Sequence, residues 1–316
     1  MSYDLNPIIK IGGDSSFSPL ITDIRKFSNQ LVVLFHDQPN VLRIMAPRVD
    51  SLQFDGTTSH QTGALDDMER PNYAMEPEDD HKNITGTTIT VPTPQIYHSV
   101  SLANDHWARL FAGKERLPLA MTRMVKLIKN EEDIIGFRGR PGVKIEGLIG
   151  ATGSEDLGNP VGPFGDDSDG DGILENLQAA VLKGLDHFTS EGLQDRPVDV
   201  VLTSYIYTLA NTTVVPYDPK TTNLDIMRAK LNGGNVYTTN FLQENVAKDA
   251  NSMLMVARTG PADAAWEILS SGIEQSMDKV NNWKTSYGMR EKFAPKILQP
   301  KFIAWMDEID AGVTPP

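Results

Sequence analysis

Leu117–Gly153, LPLAMTRMVKLIKNEEDIIGFRGRPGVKIEGLIGATG, is the stretch on which the reading of this chain turns. Leu117, Met121, Met124, Ile128 and Ile135 recur at three- and four-residue steps or their multiples, the spacing of one helical face. Pro118 sits in the first turn, where proline is tolerated. Gly136 and Gly139 end the pattern and Pro141 prevents its return. The spacing predicts a helix over Pro118–Phe137, about 30 Å long at 1.5 Å per residue. By itself this is a core helix running into a glycine-punctuated loop.

The rest of the chain narrows the choices. With 316 residues, 40% hydrophobic and 22% charged, it is long enough for a sizeable core and globular in composition. It has no cysteine, which excludes disulfides, thiolate catalysis and cysteine-ligated zinc. No apolar run reaches the roughly 20 residues of a membrane span. MSYDLNPIIKIGGDSS lacks the charged and apolar regions of a secretory signal, so synthesis inside the cell is expected. The net charge of −13 is concentrated. Asp50–Lys82 carries nine acids against Arg70 and Lys82, and Ser154–Glu175 carries seven acids and no base. The body is nearly neutral, and no basic face for nucleic acid is evident.

Met1–Gln30 reads as an arm, with Ile21–Phe27 as a short helical turn. Leu31–Phe35 and Val41–Ala46 suit buried strands or short helices. From Pro47 to His81 the chain is polar, without a helical or strand pattern. At about 35 residues it is too long for an ordinary connection within a domain. Ile84–Val91 and Ile96–Leu102 are strand-like, so the polar stretch is an extended hairpin leaving the body. Asn104–Ala112 reads as a short helix stopped by Gly113. Ile173, Leu177, Val181, Leu185 and Phe188 share a second helical face, with Gly192 at its C-cap. Val198–Thr203, Val236–Thr239 and Ser252–Ala257 are strands, and Leu224–Leu231 is a helix ended by Gly233-Gly234. Trp266–Leu269 is ambiguous between helix and strand, and Lys292–Ile309 holds two strand-like runs parted by Gln299-Pro300. Strands that do not alternate regularly with helices indicate an α+β fold.

No motif assembles an active site, so no catalytic, cofactor-binding or metal residue is assigned. Asp167, Asp169, Asp171 and Gly172 resemble the start of an EF-hand calcium loop, but the twelfth position is Gln178 and no amphipathic helix precedes it. An acidic turn capping the next helix is preferred; a calcium-binding module or enzyme built on this loop is the alternative from another class. Gly147, Gly150 and Gly153 lack the Gly-Lys-Ser/Thr ending of a phosphate loop and read as a flexible turn. The histidines at 36, 60, 81, 98, 106 and 187 show no ligand spacing and read as surface residues. Glu131, Glu132 and Asp133 are consecutive and do not share a helix face, so a solvated or interface edge is expected.

The order of segments carries a resemblance. HWARLFAGKERLPLAMTRMVKLIKNEEDIIGFRG resembles the short helix, break and long spine helix of HK97-fold shell proteins of the encapsulin-like branch. GVKIEGLIG, GILENLQAAVLKGLDHFTSEGL, VDVVLTSYIYTLA, LNGGNVYTTNFL and QPKFIAWMDEI resemble that family's later segments in the same order. Together these cover most of Ile84–Ile309. The resemblance implies an HK97-like α+β capsid fold. Its parts are an N-terminal arm (1–40), an extended loop with flanking strands (41–100), a peripheral domain with the spine helix (101–193), an axial domain (194–282) and closing strands of the peripheral domain (283–316). The arm and loop, longer than in compact encapsulins, resemble those of tailed-virus major capsid proteins.

The function implied is self-assembly, as a homo-oligomer of pentamers and hexamers, into an icosahedral virion shell around double-stranded DNA. DNA contact is expected to be non-specific, minor capsid, portal or separate scaffold proteins are partners, no membrane or cofactor is involved, and synthesis is in the host cytoplasm. An encapsulin-type nanocompartment enclosing a cargo enzyme is the alternative. The acidic loop is expected to meet a neighbour's basic residues around Arg123, Arg138 or Arg140. Lys82 is the only lysine at the excursion and has no evident cross-linking partner.

Overall fold

The computed structural model describes residues 40–52, 59–65, 86–103, 116–158, 172–212, 214–215, 218–242, 252–259, 264–281 and 284–306. In chain order they form helix α1 (Val41–Met45), strands β1 (Val49–Ser51), β2 (Ser59–Leu65), β3 (Gly86–Pro92) and β4 (Gln95–Ala103), and the long helix α2 (Arg116–Arg138). There follow β5 (Gly139–Arg140), β6 (Ile145–Glu146), β7 (Glu155–Asp156), α3 (Gly172–Ser190), β8 (Val198–Leu202), α4 (Ser204–Thr212), β9 (Val214–Val215), β10 (Asp218–Thr222) and α5 (Asn223–Lys230). The chain closes with β11 (Val236–Thr238), β12 (Met253–Ala257), β13 (Trp266–Ser270), β14 (Glu274–Asn281), β15 (Lys284–Ile297) and β16 (Ile303–Met306).

Two five-stranded sheets organise these elements. The first is built around the 14-residue strand β15. Its early part pairs antiparallel with β14 on one side and β4 on the other, and its late part pairs with β13, on which β1 lies parallel. Helix α2 packs on β15 and β4. The second sheet runs β11-β8-β12-β16-β7, with α3 on β12 and β16 and with α4 and α5 beside α3. One continuous hydrophobic core contains residues of both assemblies, from Leu42, Ile128 and Phe293 to Val200, Met255 and Ile303. Pairing crosses the 282/283 division expected from the resemblance. Strands on both sides of it share the first sheet, while β16 lies within the second, between β12 and β7.

Local chemistry accounts for the helices. The inward face of α2 includes Met124, Val125, Ile128 and Ile135, all buried. Its last carbonyls find donors in the returning chain: Leu148 N–H bonds Gly136 O at 2.9 Å and Ile149 N–H bonds Phe137 O at 2.8 Å. This corrects the reading of GLIGATG as a flexible turn. Leu148 and Ile149 are buried, and a Cβ on Gly147 would lie closer than 3.0 Å to the backbone of Phe137–Gly139. Helix α3 buries Leu177, Val181 and Phe188 as expected. Gly192, at φ +80°, ends it with a Schellman pair, Leu193 N–H to Phe188 O and Gly192 N–H to Thr189 O. Helix α5 opens with a capping box between Thr222 and Asp225. Thr222→Ala is expected to cost about 1 kcal/mol in urea-monitored stability, the usual worth of such a cap.

The polar excursion needs a second correction. Within Pro47–His81, expected to lack strands, the structure has β1 and β2. Strand β2 is Ser-His-Gln-Thr-Gly-Ala-Leu, poor in β-branched apolar residues, and owes its form to antiparallel pairing with β3. Val91 and Leu52 pack with Leu269 and Ala294 in a small apolar group of their own. Residues 53–58 and 66–85 lie outside the described residues, as do Leu31–Phe35 and Asn104–Ala112.

Candidate functional site

The densest polar chemistry among the described residues lies where α1, α2 and the first sheet meet. The chain enters α1 through Asn40, whose Oδ1 accepts from Arg43 N–H at 3.1 Å. Asn40 Nδ2 donates to Lys129 O at 3.1 Å and to Glu132 Oε2 at 2.9 Å. Leu42 N–H donates to Asp133 Oδ1 at 3.2 Å. Leu42 itself, fully buried, fits over Gly136, where a Cβ would collide with its side chain. Arg43 then grips Glu132 with two donors, Nε at 2.9 Å and Nη2 at 2.7 Å. The same Nη2 reaches Glu291 Oε1 of β15 at 2.6 Å and Ser270 Oγ of β13 at 3.2 Å. Ser270 Oγ also donates to Glu291 Oε1, and the guanidinium carbon stands 6.0 Å over the Phe293 ring. One side chain thus joins α1, the long helix and two strands.

Burial sets the electrostatics. The Glu132 and Glu291 side chains are fully buried and Asp133 is nearly so. Burial works against the charge of Arg43, but Glu132 and Glu291 outweigh it and raise its pKa above the ordinary arginine value. Glu291 is pushed well above the usual carboxylate range, first by burial and then by the charge of Glu132. Asp133 is raised to about 7, mainly by burial, against the hydrogen bond from Leu42 N–H. These positions correct the expectation that Glu131–Asp133 form a solvated or interface edge. Glu131 is half-buried and pairs with Arg140, but Glu132 and Asp133 are interior groups of their own chain.

A second buried pair involves strand neighbours of the first sheet. Lys296 and Glu267, adjacent in the β13–β15 register, form an ion pair, and Glu267 Oε2 also meets Arg48 Nε at 3.0 Å. In the second sheet Asp199 pairs with Arg258 and accepts Asn235 N–H at 2.8 Å. A shallow depression between the sheets is lined by Met45, Pro47, Asp199, Arg258, Ala265 and Trp266. Its one acid is Asp199, already committed to Arg258. These are structural pairs rather than a nucleophile, base and orienting group.

Asp167, Asp169 and Asp171 lie outside the described residues. Among the described residues no cluster of three or more His, Asp or Glu is placed to hold a metal, and no helix is long and apolar enough to cross a membrane. His187, read as a surface residue, is partly buried, and its Nε2 lies 2.9 Å from Lys301 O, linking α3 to the segment before β16. Of the arginines considered for intersubunit pairing, Arg123 and Arg140 are exposed and Arg138 is half-buried. Reading by sequence missed Asn40, Arg43, Ser270 and Glu291. The one available signal was Glu291 itself, an acid at an inward position of the Tyr287-Met289-Glu291-Phe293 alternation.

No protein-family model matches the sequence, and no curated protein matches it either. Solved structures do match. The chain is similar to the capsid of Myoviridae phage XM1, at 12% identity and TM-score 0.60, over 86% of this chain and 92% of that one. It is similar to the virus-like particle from Pyrococcus furiosus, at 11% identity and TM-score 0.56, over 87% of this chain and 95% of that one. The capsid of the native GTA particle matches at 13% identity and TM-score 0.57, over 84% and 89%. At these identities the likeness establishes the fold, and the fold is the α+β, HK97-type one.

Proposed function

We propose that a chain sharing its fold with capsid and virus-like-particle subunits over most of its length is itself a shell subunit. In this reading it is the major capsid protein of a tailed virus, with no enzymatic role, and it self-assembles into an icosahedral shell enclosing double-stranded DNA. The observation that carries the proposal is coverage: 84–87% of this chain aligns with 89–95% of each of the three subunits, with no large part of either left over.

Assembly follows from geometry. In this reading the first sheet with α2 is the peripheral domain and the second sheet with α3–α5 the axial one, which moves α3 and β16 out of the expected peripheral ranges 101–193 and 283–316 and β13 and β14 out of the expected axial range 194–282. The extended loop that carries β2 and β3 contacts a neighbouring copy. One fold then makes many modest, repeated contacts in pentamers and hexamers, each weak enough to be corrected during growth. With a net charge of −13 the chain contacts packaged DNA weakly and non-specifically. Portal, minor capsid and scaffold proteins are the further partners, and the virion is the location.

Electron microscopy of the expressed protein tests this directly, with closed shells as the expected result. Protein that stays monomeric or dimeric, with no shells or rings across a range of salt concentrations, overturns the proposal. Replacing residues 66–85 by a short Gly-Asn turn is expected to leave a folded subunit, judged by circular dichroism, that forms no closed shells. Unchanged assembly would remove the role given to that stretch. The likeness to the Pyrococcus furiosus particle favours a second reading, a nanocompartment holding a cargo enzyme. Particles that contain a co-purified protein and no nucleic acid support that reading; particles with nuclease-protected DNA support the first.

A further inference from the structure

The cluster around Arg43 is more than a static tie. Every element packed against it contributes. Helix α1 brings Arg43 and Asn40, α2 brings Glu132, Asp133 and the buried Lys129, β13 brings Ser270, and β15 brings Glu291. Three buried carboxyls therefore gather about one guanidinium, and each proton held there lowers the excess of negative charge. Oε2 of Glu291 is buried and meets no hydrogen-bond partner among the described residues. Arg43 Nη2 has two hydrogens and faces three oxygens: Glu132 Oε1 at 2.7 Å, Glu291 Oε1 at 2.6 Å and Ser270 Oγ at 3.2 Å.

We propose that this cluster is a proton-operated latch for helix α1. While Glu291 and Asp133 hold protons, residues 40–45 stay docked on α2 and β15; when the protons are lost, they let go.

Docking of two carboxylates and a third acid around one guanidinium, without the protons, leaves net negative charge away from water, which is costly. Opening relieves it, and α1 is the part that opens. Strands β13 and β15 are held by ladder hydrogen bonds along their length. Helix α1 is five residues long, and this polar cluster and the apolar contacts of Leu42 and Met45 hold it. The raised pKa values of Glu291 and Asp133 give the sign. The docked state binds protons more tightly than the open state. Docking is complete below the ordinary carboxylate range and weakens as pH rises through the raised values, for Asp133 about 7.

The inference does not rest on the shell reading. Its test reads amide hydrogen exchange on the full chain, assembled or not. In the wild type, protection of the Leu42–Ala46 amides, corrected for the chemical exchange rate, is expected to fall at least about tenfold between pH 6 and pH 9. Amides of β8 and β12 serve as the unchanged reference. Glu291→Gln, a fixed mimic of the protonated acid, is expected to keep most of the protection at pH 9. Adding Asp133→Asn removes the remaining dependence. Protection that is flat with pH in the wild type, or a fall in Glu291→Gln equal to the wild type's, overturns the latch. Should Glu291→Gln fail to fold, carbon NMR of the wild-type Glu291 carboxyl decides: titration above pH 6 supports it and titration in the ordinary carboxylate range overturns it.

Discussion

Arg43→Met is expected to lower the unfolding free energy by about 3–5 kcal/mol, the cost of removing one partner from a buried ion pair. The reason is what it leaves behind. Glu132 and Glu291 are fully buried, and Arg43 supplies donors to both. Methionine keeps much of the aliphatic stem's packing but returns no charge and no hydrogen bond. Glu132 keeps the hydrogen bond from Asn40 Nδ2 but loses both donors of the guanidinium. Urea denaturation followed by tryptophan fluorescence measures the loss. The double variant Arg43→Met/Glu132→Gln is expected to recover a sizeable part of it, because the stranded carboxylate is then neutral. A loss of less than about 1 kcal/mol for Arg43→Met would show a pair no better than a surface one. It would also weaken the latch, which needs this cluster to hold α1.

Gly234→Ala carries the second large effect, about 3 kcal/mol, at the upper end of what overpacking costs. A Cβ at residue 234 would lie closer than 3.0 Å to the O, C and N of Val198. Those atoms are backbone at the start of β8, the strand that pairs with both β11 and β12, and they cannot rotate aside. Leu231 O accepts both Gly234 N–H at 2.9 Å and Val198 N–H at 3.0 Å, so the two segments are fastened at the point of closest approach. Gly233 next door is the control. It has φ +83° and nothing within 4 Å of an added Cβ, so Gly233→Ala meets only the left-handed backbone penalty of about 1 kcal/mol. Equal costs for the two variants would dispose of the backbone-contact argument.

Much of the fold was legible because helices are local. Met124, Ile128 and Ile135 marked the inward face of α2, and Leu177, Val181 and Phe188 that of α3, because the period of 3.6 is written in adjacent turns. Gly192 stopped α3 where expected. Val198–Leu202 and Met253–Ala257, buried at every position, appeared as apolar runs. Strand β2 was illegible because it has almost no apolar signal and is defined by its partner β3. The early half of β15 was missed for a related reason. Lys284–Arg290 is polar or glycine apart from Tyr287 and Met289, and the next residue, Glu291, is an acid that belongs inside because Arg43, 248 residues away in the chain, faces it.

The candidate site divides in the same way. Residue chemistry excluded thiol and cysteine–zinc sites and offered no nucleophile with its base. It could not say that Glu132 and Asp133 are interior, since an acid on a helix is solvated unless a distant cation covers it. Periodicity, glycine stops and the order of segments thus determined the helices, the α+β class and the family resemblance, all properties of neighbouring residues. Tertiary structure alone decided which strands share a sheet, that the chain after α2 caps it rather than hanging free, and that three acids and one arginine meet under α1. Pairing over 89–248 residues has no local signature, and the physical state of a carboxyl is set by what folds over it.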